Sequence, residues 1–343
     1  MRFRLLILLL FVTGILLFLL NISLGSVPIP IKQIINILTG SGSGVESWDY
    51  IILNTRLPQA ITAVLAGAAL SVCGLQMQTL FRNPLADPSI LGVSSGAGLS
   101  VAIVLMFGSL GGFALSTHGF FGHLTVTAAA FGGAIAVLLI ILALSNRLQN
   151  NVMLLIVGIM IGYVASSLVS ILKFYSMKED VHAFVIWGLG SFSSVTWVKM
   201  QVFCPAVLIG LIGSLLLIKP LNILALGEDY ARNLGVNIKQ SRFLILFITG
   251  LLTAVITAFC GPIAFLGLAV PHLTKILFRT SNQRILVPTV MLSGTILALL
   301  CNLIARLPGF DGALPINAVT GIIGAPIVIW VIIKGTGGNK RFS

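Results

Sequence analysis

Eight carboxylates, four histidines and four cysteines are all that this 343-residue chain offers to acid–base, metal or thiol chemistry. Their spacing argues against each. Cys73, Cys204, Cys260 and Cys301 sit singly in apolar runs, without the CxxC pairing of a redox or zinc site, and read as small buried hydrophobes. His118, His123 and His182 are scattered; contact with a haem-like molecule is one use for them, but isolated histidines are usually not ligands. A membrane transferase needs clustered carboxylates or histidines, and one face of the chain offers only Asp87, Glu228 and Asp229. The run Gly335-Thr336-Gly337-Gly338-Asn339-Lys340 lacks the spacing of a phosphate-binding loop, so no nucleotide is hydrolysed here. The expectation is a non-enzyme with no metal and no cofactor of its own.

The elements that hold these residues are membrane spans. Charged residues are 8% of the chain and hydrophobic residues 57%, with a mean hydropathy of +1.11, against about 25% charged in soluble domains. A span needs roughly 20 apolar residues. The runs predict ten: Leu5–Leu24, Leu57–Phe81, two within Pro88–Asn146 divided near Gly111-Gly112, His118 and His123, then Leu148–Leu172, Met200–Ile218, Phe243–Cys260, an interrupted Pro262–Phe278, Ile285–Ala305 and Pro315–Ile333. A cleavable signal peptide competes for the first, since Ser23-Leu24-Gly25 is a passable cleavage site, but the run is long for one. Val27–Gln59 reads as a polar-face segment. Lys173–Lys199 should hold a short interfacial helix, with Trp187 and Trp197 as anchors. The fold class is thus an all-α polytopic membrane protein, a single domain over residues 1–343.

Charge orients it. The net charge of +12 is scattered singly, which suits a membrane topology better than nucleic acid. With both termini cytoplasmic, 14 of the 20 basic residues lie inside; Lys32, Arg56, Lys173, Lys178, Lys199 and Arg306 lie outside. No span carries a mid-membrane Asp or Glu, which weakens an ion-coupled carrier. A faint repeat at an offset of 187 maps Cys73-Gly74 onto Cys260-Gly261, Pro84 onto Pro271 and Arg147 onto Lys334. It relates spans 2–5 to spans 7–10 and would be inverted, an arrangement also found in secondary transporters.

One stretch behaves like soluble protein. Lys219–Arg242 is charged, and apolar runs flank it. Pro220 is expected to stop the preceding span. Gly227 ends one short helix, Glu228 and Asp229 suit the first turn of the next, and Gly235 ends that one. Leu224, Leu226, Leu234 and Val236 are its expected apolar contacts, with Glu228 or Arg232 as polar ones. The energy for transport would enter here, from another protein.

These residues resemble a known family. Arg82-Asn83-Pro84-Leu85-Ala86-Asp87-Pro88-Ser89-Ile90-Leu91-Gly92-Val93-Ser94-Ser95-Gly96-Ala97 is similar to the signature of the permease family of ABC importers for iron–siderophore, haem and cobalamin. So are Arg56-Leu57-Pro58, the Leu226-Gly227…Ala231…Leu234-Gly235-Val236 pattern, Gly261-Pro262-Ile263…Phe265…Gly267-Leu268…Val270-Pro271-His272, and Gly324-Ala325-Pro326. Together they cover nearly the whole chain, in order.

The resemblance implies a homodimer of ten-span subunits in the cytoplasmic membrane, two ATPase subunits that bind the ATP and Mg, and an external binding protein. It implies that Leu226, Gly227, Glu228, Ala231, Arg232, Leu234, Gly235 and Val236 form the coupling contact within residues 219–242. It implies that Arg56 and Arg306 pair with glutamates of the binding protein, steering it electrostatically, while Gln59 stands where some relatives carry another arginine. Spans five and ten would line the pathway, with Ser145, Asn146, Arg147 and Leu148 as a cytoplasmic gate. Gly158, Met160, Gly162, Tyr163 and Ser166-Ser167 suit either that lining or helix packing. Asn83, Pro84, Asp87, Pro88, Gly261, Pro262, Pro271 and His272 read as structural turn residues, with an ATPase contact as the other use of the Arg82–Pro88 turn. The function expected is ATP-driven import of a large metal chelate; an ion-coupled secondary transporter is the alternative.

Overall fold

The computed structural model describes residues 2–107, 120–148, 151–235, 237–306 and 314–338, and every regular element among them is helical. That follows from the solvent: in hydrocarbon only helices and closed barrels satisfy the backbone internally. The helices are α1 (Arg2–Ser23), α2 (Ile31–Leu38), α3 (Glu46–Tyr50), α4 (Leu57–Leu80), α5 (Val93–Ala102), α6 (Phe120–Arg147), α7 (Asn151–Tyr175), α8 (Lys178–Gly188), α9 (Trp197–Leu216), α10 (Ile218–Leu226), α11 (Glu228–Asn233), α12 (Ile238–Cys260), α13 (Leu266–Phe278), α14 (Gln283–Ile304) and α15 (Ile316–Gly338). A π-helical turn, Ile51–Arg56, joins α3 to α4, and a second, Ile103–Phe107, follows α5. Among the described residues seven helices are long and apolar enough to cross a bilayer, and three shorter apolar ones accompany them, Val93–Met106, Leu266–Phe278 and Ile316–Trp330. The chain is a multi-pass membrane protein.

Two compact units divide it, with boundaries inside α4 and α9. The first comprises Met1–Leu75, Phe192–Pro205 and Ala264–Ser343. Small residues let its helices touch backbone to backbone, the way helices associate where lipid supplies no hydrophobic drive. A Cβ at Gly67 would land on the Gly294 carbonyl of α14, and one at Gly74 on the Gly267 peptide of α13. Phe265, before α13, holds a left-handed φ of 69°, a strained position for a bulky residue. Gly324 leaves room beneath its Cβ, and Asn317 accepts from the neighbouring Ala264 amide at 3.0 Å. That contact joins two of the motifs, Gly261–His272 and Gly324-Ala325-Pro326.

A chain of buried amides ties three helices of this unit. Gln59 donates to Asn302 at 2.9 Å, Asn302 donates to Asn21 at 2.7 Å, and Asn21 donates to the carbonyls of Leu17 and Leu299. Gln59, expected at an exposed docking position, is therefore a packing residue. Asn302→Ala should lower stability by roughly 2 kcal/mol, because two buried amides lose a partner each. Thermal melting in detergent checks it; an unchanged melting point contradicts the ladder.

The second unit comprises Gln76–Ser191 and Ala206–Ile263. α5 meets α6 where Gly96 and Gly133 lack side chains, and Gly250 of α12 receives Leu138 of α6. Gly158 of α7 lies against the backbone of Ile90 and Leu91, and Gly162 against Ser95. Those two glycines of α7 are packing residues; Met160, Tyr163 and Val164 between and beside them are exposed.

Several expectations change. Val27–Gln59 is not merely polar-faced: Ile22, Ile29, Ile34, Ile37 and Ile52 form a small core of their own, with Trp48 and Leu57 against it. The span before Pro220 ends at Leu216, as expected, and Pro220 itself sits in the first turn of α10, where a missing N–H costs nothing. Pro271 and His272 lie inside α13, not at a turn, as Pro205, Pro288 and Pro326 lie inside α9, α14 and α15. The offset-187 register fails too. Gly74 is deep within α4, whereas Gly261 lies just past the end of α12 with φ 76°. Trp197 opens α9 and donates its indole N–H to the Leu53 carbonyl of the π-turn at 2.8 Å, so it is more than an interfacial anchor. The short helix expected after Lys173 is α8. Gly111, Gly112 and His118 lie outside the described residues, and His123 falls within α6.

Candidate functional site

The second unit holds the charged helix pair. α10 ends at Gly227, whose φ of 122° suits glycine alone. The Arg82 guanidinium fills the space a Cβ at Gly227 would take. α11 begins at once with Glu228, and Gly235 (φ 76°) follows its end. Both predicted glycine stops are thus helix ends. Leu226, Tyr230 and Leu234 stand out at 64%, 55% and 55% exposure, while Leu224 and Ala231 are buried at 4% and 0%. The helix pair exposes three apolar side chains, while Leu224 and Ala231 pack within. Arg232 is exposed; Val236 lies outside the described residues.

Arg242 ties this helix pair to the end of α6. It is buried on the second turn of α12, donates to the Glu228 carboxylate at 3.1 Å and to the Leu148 carbonyl at 3.1 Å. Such charge-assisted bonds contribute about 1.5–3 kcal/mol each. Leu148 directly follows α6, and its amide continues the helix to Leu144 at 2.8 Å. Ser145 is buried and donates to the Leu142 carbonyl, while Asn146 and Arg147 are exposed. In the sequence Arg242 is the last residue of the charged Lys219–Arg242 segment, with no role assigned to it. Nothing local marks it, because its partners are 14 and 94 positions away.

The Arg82–Pro88 turn abuts this corner. Arg82 takes φ 49°. Asn83 accepts the Leu85 amide at 2.9 Å, and Asp87 caps the short 3-10 turn Pro88–Leu91 by accepting the Ser89 amide at 2.9 Å. Pro84 is exposed within the turn, and Gly92 closes it at φ 77°. Gly261 and Pro262 form the matching exit from α12: the Cys260 carbonyl accepts the Ser191 amide at 2.7 Å, and Gly190 packs on the Pro262 carbonyl. His272 is buried in α13 and His182 exposed on α8.

The first unit holds the two arginines expected to dock a partner. Arg56 is 1% exposed. Its guanidinium donates to the carbonyls of Ile22 (3.0 Å), Ser23 (2.8 Å) and Val27, and Gly25 lies directly beneath it. It therefore caps the end of α1, where helical carbonyls lack donors. Arg306, just beyond α14, is half-buried, and its Nη1 has no partner among the described residues. Burial, and then the nearby Arg56 charge, pushes it down to about 10, still protonated at neutral pH.

Among the described residues no group of three His, Cys, Asp or Glu could hold a metal ion. A multi-pass helical membrane protein with a short charged helix pair is consistent with a transport permease. The chain belongs to the FecCD transport family, whose model matches residues 10–334. It is an ABC importer permease. It is 38% identical to an ABC transporter permease protein of Methanocaldococcus jannaschii over 90% of both chains. It is 36% identical to the vitamin B12 import system permease protein BtuC of Salmonella typhi, over 83% of this chain and 84% of that one. A solved ABC transporter of the metal-chelate type, in an inward-facing conformation, matches with TM-score 0.82 and 29% identity over 95% of this chain and 97% of the other.

Proposed function

We propose that this permease imports a metal chelate as one half of a homodimer in the cytoplasmic membrane, driven by two ATPase subunits and supplied by an external binding protein. The observation that carries the coupling is the exposure of Leu226, Tyr230 and Leu234 on an otherwise charged segment. Three apolar side chains on a short hydrophilic helix pair suit a protein groove. Glu228 and Arg242 hold the pair from behind. ATP and Mg stay with the ATPase.

Ten crossings fit the helices: seven long ones, with α5, α13 and α15 as the shorter three. α13, at 13 residues, spans about 20 Å and is extended by the non-helical residues 261–264 before it. An even count puts both termini on one face, and the charge bias puts that face in the cytoplasm. The exposed apolar faces of α7 (Met160, Tyr163, Val164) and α15 (Ile322, Ile329) suit the second copy and the pathway. Ser145, Asn146, Arg147 and Leu148, at the end of α6, serve as gate. Docking falls to Arg306, with Arg56 behind it.

Cargo selection follows the relatives, among which vitamin B12 import and the metal-chelate type are named. The test is reconstitution with the ATPase and binding protein in vesicles, offering labelled cobalamin, a ferric hydroxamate and haem in parallel. ATP-dependent accumulation of one of them is expected. Uptake driven by a proton or sodium gradient without ATP overturns the proposal in favour of a secondary transporter.

A further inference from the structure

We infer that Arg242 is the positioning residue that carries movement of the helix pair α10–α11 to the C-terminal end of α6. The inference rests on the importer reading above and names the part that transmits the stroke. Three observations converge on this one side chain. Its guanidinium is buried, so its contacts are not loosened by competing water. One arm of the fork reaches Glu228, the first residue of α11, at 3.1 Å. The other reaches the Leu148 carbonyl, directly after α6, at 3.1 Å.

The geometry makes these two bonds mechanically linked. A guanidinium is planar and its donors are fixed relative to one another, so a shift of Glu228 cannot be absorbed within the fork. It must turn the Arg242 head, and with it the direction of the bond to Leu148. The start of α11 is also packed from its N-cap: Arg82 fills the corner at Gly227. The helix pair therefore moves as one piece around a corner that glycine keeps tight. Leu148 directly follows α6, whose last residues Asn146 and Arg147 are exposed. Arg242 itself sits on α12, whose N-terminus is fixed by Asn237 accepting the Gln240 amide at 3.1 Å. A lysine could not serve both acceptors with the same rigidity, because its ammonium is a point charge on a flexible stem.

The experiment uses the full complex in vesicles, with reporter labels placed singly at Asn233 on α11 and Asn146 at the end of α6, both exposed. In the unmodified complex, ATP should change both signals; if neither responds, the importer reading itself falls, and the relay with it. In Arg242→Gln, the Asn233 signal should still respond, the Asn146 response should vanish, and cargo moved per ATP hydrolysed should drop about tenfold. Glu228→Gln, which keeps the shape and removes only the charge, should give the same pattern with a smaller drop. Both labels responding in Arg242→Gln, or transport and hydrolysis falling in parallel in both variants, overturns the relay while leaving the importer intact.

Discussion

A chain carrying Leu226→Asp and Leu234→Asp is expected to fold and insert normally and to lose its ATPase. Both side chains are more than half exposed in the protein alone, so no internal packing depends on them. Burying a leucine contributes about 1.5–3 kcal/mol. Two such contacts, replaced by carboxylates that resist burial, should weaken association by roughly a thousandfold or more at about 1.4 kcal/mol per tenfold. Titration of the ATPase onto the permease in detergent measures this directly. The contrast lies at Ala231, which is wholly buried. Ala231→Asp places a carboxylate in the packed interior of the helix pair and should reduce the yield of folded protein. A double mutant that still binds its ATPase with unchanged affinity would show that these side chains face lipid or solvent.

Much of the helix pair was legible because its determinants are local. Gly227 and Gly235 end helices since positive φ is nearly free only for glycine, and Asn83 and Asp87 cap turns through side chains that reach two residues along the chain. Long apolar runs located the spans for the same reason. What was not legible depends on contacts between distant positions. Pro271 looked like a break because proline removes a helical donor. It lies inside α13, and Gly267, one turn earlier, is where α4 passes closely at Gly74. Arg242 was only the last residue of the charged segment until its fork met Glu228 and Leu148. Gln59 and Asn302, separated by 243 positions, form an amide pair that no local pattern announces. The π-turn at Ile51–Arg56 likewise turns on a register that hydropathy does not record.

Arg56 gives the second large effect. Arg56→Gln should lower stability by about 3–5 kcal/mol, since a buried charge-assisted cap contributes about 1.5–3 kcal/mol per bond and some of the freed carbonyls find water. Arg56→Glu should be worse: a buried carboxylate would face the carbonyls of Ile22, Ser23 and Val27, where every neighbouring dipole presents its negative end. With total stabilities of about 5–15 kcal/mol, that variant should scarcely accumulate. Arg306→Glu should behave differently. Arg306 lies past α14 with an arm that the described residues leave unpaired, so the fold should persist while capture of the binding protein weakens and loses its salt dependence. Melting curves in detergent and binding-protein titrations at two ionic strengths separate the roles. If Arg56→Gln melts with the unmodified protein yet binds its external partner weakly, the guanidinium swings outward in solution and belongs to the docking face after all.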